Sequence, residues 1–403
     1  MTAPNPIPDD DALDLVMRLM AIPGRSGSEG RVMQTIVDTL VEAGTPAEAI
    51  TFDSANQRSA FRTAEGMPGE SGNLIVQLPG RGAGRDLPRR MLSSHADTVP
   101  ICVGCKPERR GDLVVSTDPK TGLGGDDRAG CAVVLATALA LLQSEADHPP
   151  LTLLWTVQEE VGLHGARNVE VEKLGGPALA FNFDGGSPAK LTVGATGGWR
   201  AKITITGLAS HAGNAPERGV SAVAIASLAV ADLVRGGWHG LVEKPEGRGA
   251  CNVGVIHSGA ATNVVADEAT LLVEARSHDP AFREQIVQAI HQSFDSAIAA
   301  VTSADGDHGS VEIDGRVDYE SFRLPDDSPP VAVASAALGA EGLTPRIAVT
   351  NGGIDANWLN HHGVPTVTLG CGQRNIHMAG EELDVAEFLQ AIRIAWRLAT
   401  VAG

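Results

Sequence analysis

No other stretch narrows the fold as much as residues 151–162, LTLLWTVQEEVG. A largely apolar run, 151–157, ends in two adjacent carboxylates, Glu159 and Glu160. Runs of this length, bounded by turn residues, read as strands buried on both faces of a parallel sheet. In open α/β sheets, ligands bind beyond the carboxyl ends of the strands. Neighbouring side chains leaving a strand point in different directions. One glutamate can then hold a metal ion while the other faces a substrate water. A solvated Glu-Glu pair opening a loop is the plainer reading of this stretch alone. The rest of the chain decides between the two.

The segments before it alternate in the same way. Helical periodicity over 11–22 stops at Pro23-Gly24, and a second helix over 29–42 ends at Ala43-Gly44. Residues 73–78, 89–94 and 113–116 read as strands, and a glycine-rich turn at 121–125 leads into a helix over 128–142. After 151–157, residues 179–183 form a further buried strand. This alternation predicts an α/β domain with a mostly parallel sheet flanked by helices.

The texture changes near Thr196. Residues 199–207 alternate with period two, 271–276 repeat that pattern, and 310–317 do so more weakly. Helical stretches 220–234 and 282–300 lie between them. Segregated strands and helices predict a small α+β domain with an antiparallel sheet and helices on one face. Beyond it, helices at 329–340, 354–361 and 385–399 and strands at 347–349 and 366–369 return to the α/β pattern. The expectation is one catalytic domain, 1–194 and 321–403, interrupted by an inserted domain, 195–320. A length of 403 residues fits two domains.

A net charge of −18 argues against a nucleic-acid partner and against an anionic membrane surface. No segment reaches the ~18 uninterrupted apolar residues of a membrane span. Acidic residues stand near the N-terminus where a signal peptide carries positive charge. The expected location is cytoplasmic. Five scattered cysteines suit a reducing compartment. Cys102 and Cys105 form a CxxC, but no second ligand pair follows at zinc-knuckle spacing, and the pair sits in a turn rather than opening a helix.

The candidate groups fall at strand ends. His95-Ala96-Asp97 follows one strand, Glu159-Glu160 a second and Asp184 a third. Asp126-Asp127 lies between the glycine-rich turn and its helix, and His377 lies in the loop after 366–369. Each has a plain explanation alone: a core histidine, a helix cap, a turn aspartate. Five on one sheet edge make a ligand set for zinc or a similar divalent ion. They are too many for one tetrahedral site, so two ions sharing a carboxylate fit better. A non-ligating carboxylate nearby would take the proton of the attacking water.

The motifs SSHADTVP, GLGGDDRAG, TVQEEVGLHG, FNFDGG, GLASHAGNAPERGVSA, EARSHD, NGGIDAN and NIHMAGEEL resemble, in order, those of peptidase T-like tripeptidases. These belong to the di-zinc family that also holds aminoacylases, succinyl-diaminopimelate desuccinylase and carboxypeptidase G. The resemblance implies that His95 and Asp184 bind one ion, Glu160 and His377 the other, and that Asp126 bridges both. It implies Glu159 as general base, Asp97 as the carboxylate orienting His95, and a cis peptide between Asp126 and Asp127. The inserted domain resembles the family's lid. There His211 would stabilise the oxyanion, and Arg276 with Asn263 would hold the peptide's C-terminal carboxylate. Gly352 and Gly353 would let the main chain approach the substrate closely. Gly125 and the CVGC turn at 102–105 depart from the family's usual pattern.

The resemblance therefore implies a metallo-aminopeptidase acting on short peptides, most of all tripeptides. Its cofactors would be two zinc ions, or manganese or cobalt in their place. The alternative within the family is an N-acyl-amino-acid deacylase or a carboxypeptidase. The resemblance also allows a homodimer formed through the inserted domain.

Overall fold

A computed structural model describes residues 6–401. The outer limits expected for the first and last segments, residues 1 and 403, lie outside the described residues. The chain forms two compact units. The first comprises the chain up to Gly194, Arg323–Thr350 and the chain from Ile354 onward. The second comprises Ala195–Phe322 with the short turn Asn351–Gly353.

The main sheet of the first unit runs Ile50–Phe52, Leu74–Leu78, Leu151–Thr156, Arg90–His95, Leu179–Phe183, Thr366–Leu369, Lys190–Ala195. Arg346–Thr350 pairs beside the last of these. The central four, from Leu151–Thr156 to Thr366–Leu369, are mutually parallel. Every residue of Leu151–Thr156 is buried, as apolar content on both strand faces requires. His95 stands opposite Thr156, and Phe183 opposite Leu369, so the four strands end along one edge.

Helix Gly125–Gln143 packs on Arg90–His95 and is covered by helices Asp9–Met20 and Val385–Ala399. It is buried on nearly every side, which suits its run of Ala, Val and Leu. The outer helix Asp9–Met20 is one-sided instead, with three aspartates in its first turn and Arg18 in its last. Both placements favour the helix dipole. A small antiparallel sheet joins Pro107–Arg110, Leu113–Ser116, Glu382–Asp384 and Gln373–Arg374. Its last two strands carry between them the loop that holds His377.

The second unit has a five-stranded antiparallel sheet in the order Gly240–Lys244, Gly247–Ser258, Glu268–Ser277, Gly197–Thr206, Ser310–Tyr319. Trp199, Ala201, Ile203 and Ile205 alternate inward and pack with helices Ala222–Arg235 and Pro280–Ala300. Ser221 and Asp279 cap those helices, accepting from the amides of Ala224 and Ala281.

Among the strands not anticipated from the sequence are Lys190–Ala195, Pro107–Arg110, Gly240–Lys244 and Gly247–Ser258. The last carries Gly247, Gly249 and Gly254, which weaken the strand signal. Pairing on both of its edges overrides that weakness. Among the described residues, no helix is long and apolar enough to cross a membrane.

Candidate metal centre

His95 ends its strand with its ring buried, and the helix entry brings Asp126 against it. His95 Nε2 lies 3.1 Å from Asp126 Oδ1. The other oxygen of that carboxylate, Oδ2, lies 3.2 Å from His377 Nε2. His377 Nε2 also lies 2.9 Å from Glu160 Oε2. One carboxylate thus stands between two imidazoles, one oxygen towards each. Ligand atoms of His95, Glu159 and Asp184 fall within 4.8 Å of one another, as do those of His95, Asp126 and Glu160. The five candidates from distant parts of the chain meet at one sheet edge, with Glu159 beside them.

The peptide between Asp126 and Asp127 is cis. Asp127 accepts the amides of His95 at 3.1 Å and Gly130 at 2.9 Å, and its carboxylate lies within 4.8 Å of ligand atoms of Asp126 and Asp184. Asp97 is fully buried and does several things at once. Its Oδ1 lies 3.4 Å from His95 Nδ1 and accepts the Glu159 amide at 3.0 Å. Its Oδ2 accepts the Glu160 amide at 3.2 Å and the Ser26 hydroxyl at 2.6 Å. Its carboxylate thus holds the backbone that carries both glutamates, and its main-chain carbonyl lies 3.2 Å from His95 Nδ1.

Sequence reasoning missed three supporting groups. Glu381 is buried, and its two oxygens accept the amides of Gly124 at 2.7 Å and Asp126 at 2.9 Å. Gln373 donates to Asp127 Oδ1 at 2.7 Å and accepts from the Gly185 amide at 3.0 Å. Asp355 is buried in the NGGIDAN motif and accepts the Thr156 hydroxyl. Glu381 stands beside Glu382 in the same acidic loop, so nothing local distinguishes it. Asp355 belonged to a quoted motif and could have been singled out there.

Burial and crowding set the electrostatics of the cluster. Burial pushes the Asp184 carboxyl up to about 7, with Asp126 adding to the shift. Burial also raises Glu160, and raises Glu159 well above the usual range, with Asp184 and Asp355 adding to Glu159. Hydrogen bonds that His377 donates to the Asp126 and Glu160 carboxylates push it up to about 10. Glu160 Oε1 is buried with no hydrogen-bond partner. Carboxylates crowded out of water with too few cations form a donor set suited to divalent ions.

In the second unit, His211 Nδ1 accepts the amides of Gly213 and Asn214, both at 3.1 Å. Asn263 is its neighbour: its carbonyl accepts the Ala212 amide at 3.0 Å. Arg276 lies elsewhere on the sheet and forks onto Glu274, Nε to Oε1 at 3.1 Å and Nη2 to Oε2 at 2.9 Å. Its Nη1 approaches the Asn351 carbonyl at 3.5 Å, and His278 meets the Asn351 side chain at 3.0 Å. Gly352 follows Asn351 in that turn. Gly353 lies so close to the Tyr319 ring that a Cβ there would collide with it.

Residues 193–301 match the peptidase dimerisation domain family, and 113–180 match the M42 glutamyl aminopeptidase family. Carboxypeptidase G2 of Pseudomonas sp. (strain RS-16) is 30% identical over 81% of this chain and 76% of its own. The chain belongs to the M20 peptidase family. Within that family it is peptidase T-like. Aminopeptidase PepT from Bacillus cereus ATCC 10987 superimposes with a TM-score of 0.82 and 28% identity, covering 98% of both chains. A tripeptidase from Staphylococcus aureus gives 0.84 and 27%, over 97% of this chain and 98% of that one. The M20 protein described here is therefore a peptidase, a hydrolase acting on peptide bonds.

Proposed function

We propose that this M20 peptidase is a di-zinc aminopeptidase that removes the first residue of short peptides, tripeptides above all. The observation that carries the reading is the Asp126 carboxylate, one oxygen towards His95 and the other towards His377. His95 and Asp184 would hold one ion, Glu160 and His377 the second, and Asp126 both. Zinc suits this mixed histidine and carboxylate set, and manganese or cobalt can replace it. Bound there, the ions supply Lewis acidity that polarises the scissile carbonyl and acidifies the attacking water.

The chain's own residues do the rest. Glu159 is buried beside the ligands, and burial raises its carboxylate's affinity for a proton, as a general base requires. It takes the proton from the attacking water at its carboxylate and passes it to the leaving nitrogen. Asp97 keeps His95 turned correctly and holds the 159–160 backbone through two amides. Both backbone amides donate to His211 Nδ1, which puts that ring's proton on Nε2. That N–H is the donor for the tetrahedral oxyanion. Arg276, steadied by Glu274, would take the peptide's C-terminal carboxylate. Asn263 lies beyond the other end of the same strand, beside His211, so within one chain the two would not share that carboxylate. Gly352 and Gly353 would admit the peptide backbone. The unit containing 195–320 acts in this reading as a lid. His211→Ala should lower kcat on the order of 10²–10³-fold with metal content unchanged. Metal analysis beside steady-state kinetics checks it, and an unchanged kcat removes His211 from the mechanism.

Two copies would pair through the same unit. Its helix Ala222–Arg235 leaves Val223, Leu228 and Val234 exposed, and its edge strand Gly240–Lys244 leaves Leu241 59% exposed. Apolar side chains left exposed on this helix and at the sheet edge fit a partner surface. Leu228→Asp with Leu241→Asp should give monomers in sedimentation velocity where the unaltered chain gives dimers. A monomeric unaltered chain overturns the pairing.

The 30% identity to a carboxypeptidase favours a second reading, release of the C-terminal residue. Leu-Gly-Phe separates them. The aminopeptidase frees leucine first, and the carboxypeptidase frees phenylalanine. Hydrolysis of N-acetyl-leucine with no tripeptide cleavage would favour the deacylase.

A further inference from the structure

The loop that leaves strand Leu151–Thr156 is fastened by buried side chains. Four amides in a row donate to them: Val157 to Asn73 Oδ1 at 3.1 Å, Gln158 to Glu29 Oε1 at 3.1 Å, Glu159 to Asp97 Oδ1 at 3.0 Å and Glu160 to Asp97 Oδ2 at 3.2 Å. Glu29 is fully buried, and the same oxygen also accepts the Gly27 amide at 2.8 Å. It stands just before helix Gly30–Glu42, where the plain role is capping, but its side chain caps no amide of that helix. Gln158 has a φ of 56°, in the left-handed region that residues other than glycine seldom adopt. Both polar atoms of its side chain are buried and, among the described residues, without a hydrogen-bond partner. The polar hold on Gln158 is therefore through its main chain, the amide on Glu29 and the carbonyl on the His164 amide at 3.0 Å.

We infer that Glu29 is a positioning residue for this loop: it keeps Gln158 in its left-handed conformation and so aims Glu159 and Glu160. The inference rests on the reading of Glu159 as the base and Glu160 as a ligand. A residue with a side chain stays in the left-handed region only where its surroundings hold it there. Rotation of the backbone at 158 would swing both glutamates, because they follow it directly in the chain. Asp97 fastens the two amides after Gln158, and Glu29 fastens the amide of Gln158 itself. A buried amide deprived of its acceptor is costly, so without Glu29 the loop would settle around another partner. Glu29 acts here through the backbone and not on the substrate. Burial and the nearby Asp97 raise its carboxyl, which favours the neutral acid. Glutamine copies that form and keeps an acceptor oxygen.

The test compares Glu29→Ala with Glu29→Gln in the full-length chain. At saturating zinc, with Leu-Gly-Gly as substrate, Glu29→Ala should lower kcat on the order of 10–100-fold with KM little changed. Glu29→Gln should recover most of that loss. Glu29→Ala should also weaken zinc binding roughly tenfold in competition with a chelator. Hydrogen exchange in the zinc-free chain, followed over residues 157–165, should quicken in Glu29→Ala and not in Glu29→Gln. Adding Glu29→Ala to Glu159→Gln should cost little further turnover, since Glu29 acts through Glu159. Gln158→Val, whose branched side chain resists positive φ, should reproduce the Glu29→Ala pattern, and it carries the test if that variant does not fold. Full kcat in Glu29→Ala, an equal loss in Glu29→Gln, or a loss that adds in full to that of Glu159→Gln would overturn the inference. Full turnover by Glu159→Gln alone would overturn the base reading, and the zinc affinities and hydrogen exchange then judge the hold on the loop separately.

Discussion

Replacing Glu159 with glutamine lowers kcat on the order of 10²–10⁴-fold while the chain keeps its full complement of metal. The two effects separate because Glu159 is assigned to the proton and Glu160 to the ion. Glutamine preserves the shape and the packing of a residue that is only 9% exposed. It removes the one feature the mechanism needs there, a carboxylate able to accept and return a proton. The backbone at 159 and 160 stays held by Asp97, whose two oxygens accept both amides. KM should change little, because glutamine still fills the site. Elemental analysis of the purified variant, read beside its kinetics, checks both halves. Turnover near that of the unaltered enzyme would remove Glu159 from the proton path. Loss of metal with loss of turnover would make it a ligand.

Replacing Asp126 with alanine has the opposite signature. Both ions are lost together, and activity falls to background, at least as far as for Glu159→Gln. His95→Ala or His377→Ala should each weaken one site more than the other. The contrast follows from the geometry: each histidine meets one oxygen of Asp126, and the carboxylate meets both rings. Asp126 is also held from behind, since Glu381 accepts its amide and that of Gly124. The backbone there should therefore survive the substitution, which circular dichroism and the melting curve can verify. A variant that retained one tightly bound ion at full occupancy would show that Asp126 serves a single site.

The parallel core was legible because its strands are buried on both faces, which leaves a nearly continuous apolar run at 151–156 and 179–183. A carboxylate just beyond one such run is ordinary, but its recurrence at several strand ends along one sheet edge exposed Glu159, Glu160 and Asp184 to sequence reasoning. The inserted unit's alternation was legible in Gly197–Thr206 for the complementary reason: one sheet face packs on helices and the other faces outward. Strand Gly247–Ser258 was hidden because its glycines are tolerated only by partners on both sides. Glu381 and Gln373 were hidden for a related reason. Their roles consist of hydrogen bonds to main chain and side chain about 250 positions away, and no local pattern records such a partner. The paired histidines around Asp126 were legible only as a set, since each alone reads as an ordinary core or loop residue.

The central claim is that Asp126 is shared by two cations. Diffraction from crystals grown with zinc, recorded on either side of the zinc absorption edge, tests it most directly. The account predicts two anomalous peaks per chain, ~3.5–4 Å apart, one on the His95–Asp184 side of the Asp126 carboxylate and one on the Glu160–His377 side. A single peak, or two peaks that do not flank Asp126, would contradict it.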